Sequence, residues 1–305
     1  MTSPAPPDNP QSPWPSAAEE AAQEPSAGSP QMASASYRLA YADIDFLRRA
    51  ELRPVRLQLE LLKAELVQQE EGIDSTVVIF GSTRIPEPET ARARLRAAED
   101  AAAAAPDDPE LARRAAVARR IHDKAKYYDE ARRLAAMITQ VSQRNGHRDY
   151  VVVTGGGPGI MEAANRGAQD VEGKSLGLSI VLPHEEHPNP YVTPELSFQF
   201  HYFAVRKMHF VLRARALVVF PGGYGTLDEL FETLTLIQTG KVHPVPVLLF
   251  GREYWQRIID FDALVEEGTI DPPDRALFQF VETAEAAWAA IQGFWANKDT
   301  AKSDD

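Results

Sequence analysis

From residue 75 onward the chain alternates short apolar runs rich in Val, Ile, Leu and Phe with longer stretches of helical periodicity. The short runs predict strands over 76–80, 150–153, 175–181, 216–220, 245–250 and, more weakly patterned, 278–281. The longer stretches predict helices over 158–169, 203–214, 226–238, 254–267 and 284–294, with Gly240 placed where a C-terminal helix cap belongs. Strands and helices that alternate in this way are the pattern of a parallel sheet with crossover helices, so the fold class is α/β.

Two regions depart from the alternation. Residues 37–69 are Leu-rich and highly charged, which predicts one or two amphipathic helices interrupted near Pro54, packed on the core or on another subunit. The segment between the first two strands is far longer than one crossover helix needs. Its Ala- and Arg-rich sequence, broken by AAAAAPDDPE at 101–110, predicts two or three helices with solvated charge. Residues 1–35 hold eight of the 23 prolines among Ala, Ser and Glu, too little apolar surface to offset the entropy of ordering. The expected organisation is a disordered tail at 1–35, a helical extension at 36–74, a main domain at 75–296 with a helical insertion at about 86–126, and a flexible tail at 297–305.

Composition narrows the function. No run approaches the ~20 apolar residues of a membrane-spanning helix, so no membrane partner is expected. The first basic residue is Arg38, unlike a secretory or organelle leader, and a cytoplasmic location is the expectation. The absence of cysteine excludes thiolate catalysis, disulfides and thiolate metal sites. A net charge of −12, of which residues 1–37 carry four units and 297–305 one, argues against a general nucleic-acid binder. An anionic ligand would have to be met by local dipoles and a few placed cations.

The glycines fall where such dipoles are made. Gly81 and Ser82 follow the first strand, Gly155, Gly156 and Gly157 the second, and Gly222, Gly223, Gly225 and Thr226 the strand that ends at Phe220. In an open parallel sheet, carboxyl-end turns share one rim, where α/β proteins bind ligands. Without Cβ atoms these turns bring backbone N–H groups close to a phosphate, and the helix that follows adds its dipole. Neither the dinucleotide spacing GxGxxG nor the P-loop GxxxxGK[ST] is present. Glu229, three residues after Thr226, fits either a capping box or a catalytic carboxylate, and spacing alone does not choose. Arg206 and Lys207, just upstream, are the cations nearest to this rim in sequence.

At these residues the chain resembles the Lonely Guy family, whose members often carry the label lysine decarboxylase. The family's PGGxGTxxE signature reads Pro221-Gly222-Gly223-Tyr224-Gly225-Thr226-Leu227-Asp228-Glu229 here, preceded by Arg206-Lys207. GGGPGIMEAAN at 155–165 is similar to the family's second glycine turn, and Gly81-Ser82 with the later YDEA at 128–131 to its first strand and following helix. The resemblance covers roughly residues 75–85 and 127–295. It implies a Rossmann-like, doubly wound sheet, homodimers or larger assemblies, and no cofactor. The implied activity is phosphoribohydrolase, which releases free base and ribose 5-phosphate from a nucleoside 5′-monophosphate such as AMP or a cytokinin nucleotide. By position, Arg206 and Glu229 would be the catalytic pair, with Glu162 a weaker candidate for ribose contact and Lys207 for phosphate. The N-terminal 74 residues and the insertion depart from compact members.

Rival chemistries are poorly supported. Pyridoxal phosphate decarboxylation needs a Schiff-base lysine in its own site, and nothing around Lys174, Lys207 or Lys241 supplies one. The run His184-Glu185-Glu186-His187 lies in a proline-flanked loop without a third-ligand pattern. A non-catalytic module that holds a phosphorylated ligand remains the alternative from another class.

Overall fold

Three consecutive valines open the second strand, and the first reads Thr-Val-Val-Ile-Phe; every residue of both is buried, as central parallel strands require. The computed structural model describes residues 16–21, 28–143, 148–183 and 187–303. Two units divide the chain, residues 1–59 and residues 60–305.

In the first unit the described elements are α1 (Ala17–Ala21), α2 (Ile44–Leu47), the start of α3 (Arg53–Glu70) and two single-turn 3-10 helices, Ala35–Tyr37 and Ala50–Leu52. Asp43 caps α2 by accepting from the N–H groups of Asp45 and Phe46, and the Arg56 guanidinium donates to the carbonyls of Leu47 and Arg49. Pro54 does not interrupt a helix. It is the second residue of α3, where the missing N–H would have had no intrahelical acceptor anyway and the fixed φ suits the first turn.

The second unit contains β1 (Thr76–Phe80), α4 (Pro88–Ala104), α5 (Pro109–Lys124), α6 (Lys126–Ser142), β2 (Val151–Thr154), α7 (Ile160–Gln169), β3 (Ser175–Ile180), β4 (Ser197–Phe200), α8 (Phe203–Leu212), β5 (Ala214–Val219), α9 (Tyr224–Gln238), β6 (Val247–Phe250), α10 (Arg252–Ile258), α11 (Phe261–Glu266), β7 (Gln279–Val281) and α12 (Ala284–Ser303). The strands form one parallel sheet in the order β4-β3-β2-β1-β5-β6-β7. Sequence order runs outward from β1 in one direction and then outward from β5 in the other. The reversal lies between β1 and β5, the place where doubly wound sheets open a crevice at their carboxyl ends.

Small residues draw the helices close. Ala131 and Ala135 of α6 face Ala163, Ala164 and Ala168 of α7, all fully buried, and a Cβ on Gly167 would collide with the carbonyl oxygen of Arg132. Leu134 and Ile138 fill the layer between these helices and the sheet, joined by Trp288 and Ile291 of α12. Complete burial of a side chain such as Leu134 stabilises by roughly 2 kcal/mol. The insertion contains a helical hairpin. Asp108 caps α5 on the N–H groups of Glu110 and Leu111, with Pro109 at the first position, so the alanine run ends α4 and the break after it, 105–108, is the turn between α4 and α5.

Several boundaries differ from the sequence expectation. The 254–267 helix is two helices, because the Asp260 side chain accepts from the Ala263 N–H and starts a new one. The edge strand β4 is a further element, with Phe198 and Phe200 inward and Ser197 and Gln199 outward. Gly240 does close α9, at φ 69°, with the N–H groups of Gly240 and Lys241 returning to the carbonyls of Ile237 and Leu236. The described residues include no helix long and apolar enough to cross a membrane.

Candidate active site

β1 is the neighbour of both β2 and β5, so the three glycine turns emerge side by side. The first and third are tied together, the Ser82 N–H donating to Pro221 O at 3.0 Å and the Phe220 N–H to Phe80 O at 2.8 Å. Between them opens a cleft of about 500 Å3. Gly81, Ser82, Gly223, Gly225, Thr226, Arg206 and Glu229 all line it.

α9 begins at Tyr224, with Gly223 as its N-cap and no side-chain cap. The first bond into the helix runs from Leu227 N–H to Gly223 O, so the N–H groups of Tyr224, Gly225 and Thr226 have no intrahelical acceptor and end at the cleft. That end of the helix is suited to an anion. Glu229 therefore sits in the second turn, not at the third position of a capping box started by Thr226. It is 5% exposed, and burial raises its carboxyl pKa to about 7, against the opposing pull of Lys207 and Arg206.

Arg206 reaches the same cleft from α8. Its Nε donates to Leu178 O at 2.7 Å, and its guanidinium lies 5.0 Å from the Phe210 ring centroid. Burial lowers its pKa, and the charges of Glu229 and Asp228 work the other way. Lys207 turns elsewhere. Its Nζ lies 2.8 Å from carboxylate oxygens of both Asp228 and Glu232, an arrangement that holds α8 against the first turns of α9. Burial disfavours its charge, but those two acceptors outweigh it and the pKa is raised. His209, one turn beyond Arg206, is buried against the Phe200 ring, and burial lowers its pKa.

The second glycine turn stands behind the cleft. Gly155, Gly156 and Gly157 are buried and are not among the residues that line the cavity. A Cβ on Gly155 would lie 2.8 Å from the Arg206 Nη2, so this glycine makes the room the guanidinium occupies. Gly159, at φ 72°, lets the turn press on the first: a Cβ there would meet the Ser82 carbonyl oxygen. Glu162 accepts from the Tyr128 hydroxyl at 2.9 Å and does not line the cleft. Gly222 borders the adjoining cavity, and its carbonyl accepts from the Tyr254 hydroxyl at 2.6 Å.

Sequence reasoning missed the group that fixes this buttress. The Asn189 amide donates to Gly156 O (3.1 Å), Gly157 O (3.0 Å) and Asn165 Oδ1 (2.9 Å), while Asn165 in turn accepts from the Thr154 hydroxyl at 2.8 Å. Thr154 also accepts from the Gly156 N–H at 2.9 Å. All three side chains are buried, where a satisfied polar network rigidifies the backbone it holds. Asn189 follows a loop, 24 residues from Asn165, and no local pattern marks it. Tyr224 and Phe203, exposed aromatics at the cleft mouth, also passed unnoticed. Of the loop with the histidine–glutamate run, 184–186 lie outside the described residues; among the described residues no group of three His, Cys, Asp or Glu could hold a metal.

Comparison with known proteins reaches the third glycine turn. A family described as "Possible lysine decarboxylase" matches residues 161–291. A probable cytokinin riboside 5′-monophosphate phosphoribohydrolase of Oryza sativa subsp. japonica is 32% identical over 142 residues, 45% of this chain and 60% of its own length. A cytokinin riboside 5′-monophosphate phosphoribohydrolase of Arabidopsis thaliana is 39% identical over 82 residues, 26% of this chain and 38% of its own. The chain thus spans at most about three fifths of these relatives' length. Among solved structures, the Moco carrier protein from Chlamydomonas reinhardtii is 18% identical, with a TM-score of 0.41 over 73% of this chain and 99% of its own.

Proposed function

We propose that the chain is a member of the Lonely Guy family, as its likeness to the relatives above suggests, and that it hydrolyses the N-glycosidic bond of a nucleoside 5′-monophosphate, AMP or an N6-substituted AMP, to free base and ribose 5-phosphate. The observation that carries the reading is a buried carboxyl, Glu229, with a pKa of about 7, on the wall of a cleft that also presents the open end of α9 and the Arg206 guanidinium. The N–H groups of Tyr224, Gly225 and Thr226 suit the 5′-phosphate without any added net charge. As the C1′–N bond breaks, its electron pair leaves with the base and positive charge develops on the ribose. An ionised Glu229 stabilises that charge and takes a proton from the water that bonds to C1′, and the departing base nitrogen gains a proton in exchange. A carboxyl poised near pH 7 can do both halves of this transfer.

Chromatography of products from a panel of nucleoside 5′-monophosphates and the matching nucleosides tests the reading. Free base and ribose 5-phosphate are expected from the nucleotides, with kcat/KM at least tenfold above that of the nucleosides. Equal turnover with and without the 5′-phosphate would refute the phosphate-anchoring argument.

A homodimer or larger assembly belongs to the same proposal. Leu62 and Leu66, one turn apart on α3, and Met208 and Leu212, one turn apart on α8, are about half exposed, apolar side chains that a second copy would cover. Light scattering at micromolar concentration is expected to give at least twice the chain mass; a fully active monomer would overturn this.

A further inference from the structure

The insertion contributes to a cavity of its own beside the cleft. About 170 Å3 in volume, it is bordered by Arg84 from the loop after β1, by Arg120 and Lys124 from α5, and by Gly222 and Tyr254. Ser82 and Arg84 line both this cavity and the cleft, so the two adjoin at the β1 turn. We infer that this cavity is an anion subsite, built by the insertion, for a phosphate-class ligand: a free phosphate or pyrophosphate, or the distal phosphates of a nucleoside polyphosphate.

Three observations support the assignment. No carboxylate lines the cavity, in a chain whose net charge is −12. Among the described residues, none of Arg84, Arg120 and Lys124 forms a salt bridge, whereas Arg113, Arg114 and Arg119 on the same helix all do. The third is convergence from distant parts of the chain. A lysine near a helix C-terminus is ordinarily explained by the helix dipole, and Lys124 does donate to the Arg120 carbonyl at 2.9 Å. That accounts for one cation, not for Arg84, which arrives from another element, nor for the Arg120 side chain. Burial lowers the Lys124 pKa, a cost that a bound anion would offset. A further cavity of about 290 Å3 continues from Arg84 past Arg94, but two of the cations that line it, Arg113 and Arg114, already pair with Glu110, so the assignment stays with the cavity whose cations form no salt bridge.

The subsite does not depend on the hydrolytic reading, and its test uses binding. Calorimetry on the full chain with pyrophosphate is expected to show saturable binding that weakens at least tenfold in Arg120→Glu/Lys124→Glu. Ribose 5-phosphate, the probe of the cleft, should keep its affinity within twofold in the same variant. Arg120→Gln/Lys124→Gln repeats the comparison with a gentler change, should the charge reversal fold poorly. A nucleoside triphosphate that binds more tightly than pyrophosphate and excludes ribose 5-phosphate would assign the site to distal phosphates. Pyrophosphate that binds alongside ribose 5-phosphate would assign it to the free anion. No saturable binding at millimolar pyrophosphate, or equal affinity in wild type and both variants, overturns the inference, and neither outcome bears on whether nucleotides are hydrolysed.

Discussion

Glu229→Gln is expected to lower kcat by two or more orders of magnitude while making the protein more stable above neutral pH. The amide keeps the volume and removes the negative charge that an oxocarbenium-like transition state would feel, a loss of roughly 3 kcal/mol. The stability effect follows from burial. The carboxyl has a pKa of about 7 in the fold against a reference of 4.5, so its neutral form is favoured there. The stability this gives is fully present below about pH 4.5 and is lost as pH rises through 7, amounting to at most about 3 kcal/mol. Gln carries no such dependence. The melting temperature of the variant should therefore gain on that of the wild type between pH 4.5 and 7 and hold its lead above. Wild-type kcat/KM should climb over the same range, as the ionised form accumulates. Glu232→Gln serves as the control: Glu232 pairs with Lys207 one turn away and should lose far less activity. Near-normal turnover in folded Glu229→Gln would mean that the reaction does not use the Glu229 charge, and a falling melting temperature would assign the residue a structural role.

The parts of this fold legible in the sequence are those decided by local patterning. Thr76–Phe80 is buried along its whole length and announces itself as an apolar run between charged segments; so does Val247–Phe250. Ser197–Phe200 escaped because only two of its four side chains, Phe198 and Phe200, face inward, so it contains no apolar run. Spacing could not settle the role of Glu229 because Thr226-x-x-Glu229 is compatible with a helix that starts at either of two points. The structure starts it at Tyr224, which leaves the Thr226 side chain packed over Gly222 and the carboxylate in the second turn. The second glycine turn looked like the first and third in sequence. Its different place follows from contacts far along the chain, with Asn189 on its carbonyls and Arg206 in the space left by Gly155, and no local pattern contains those.

Arg206→Lys should be nearly as damaging as the loss of the carboxylate, although the charge is kept. The guanidinium divides its work: Nε donates to Leu178 O at 2.7 Å and anchors the group, its carbon lies 5.0 Å from the Phe210 ring centroid, and Nη2 borders the space left by Gly155 at the back of the cleft that Arg206 lines. A lysine amine cannot anchor on that carbonyl and present a planar fork at the same time. We expect kcat/KM to fall by about a hundredfold, and the inhibition constant of ribose 5-phosphate tells which step was lost. A raised constant with kcat little changed means that Arg206 holds the phosphate. An unchanged constant with reduced kcat means that it acts on the transition state. Gly155→Ala is the companion test, because it leaves the arginine in the sequence and places a methyl group 2.8 Å from its Nη2. If guanidinium position matters, the alanine variant should reproduce much of the kinetic defect with every charge intact. Should both variants stay within threefold of wild type, Arg206 is a structural prop of α8 against β3, and the cation that serves the reaction lies elsewhere on the cleft, with Arg84 the first to examine.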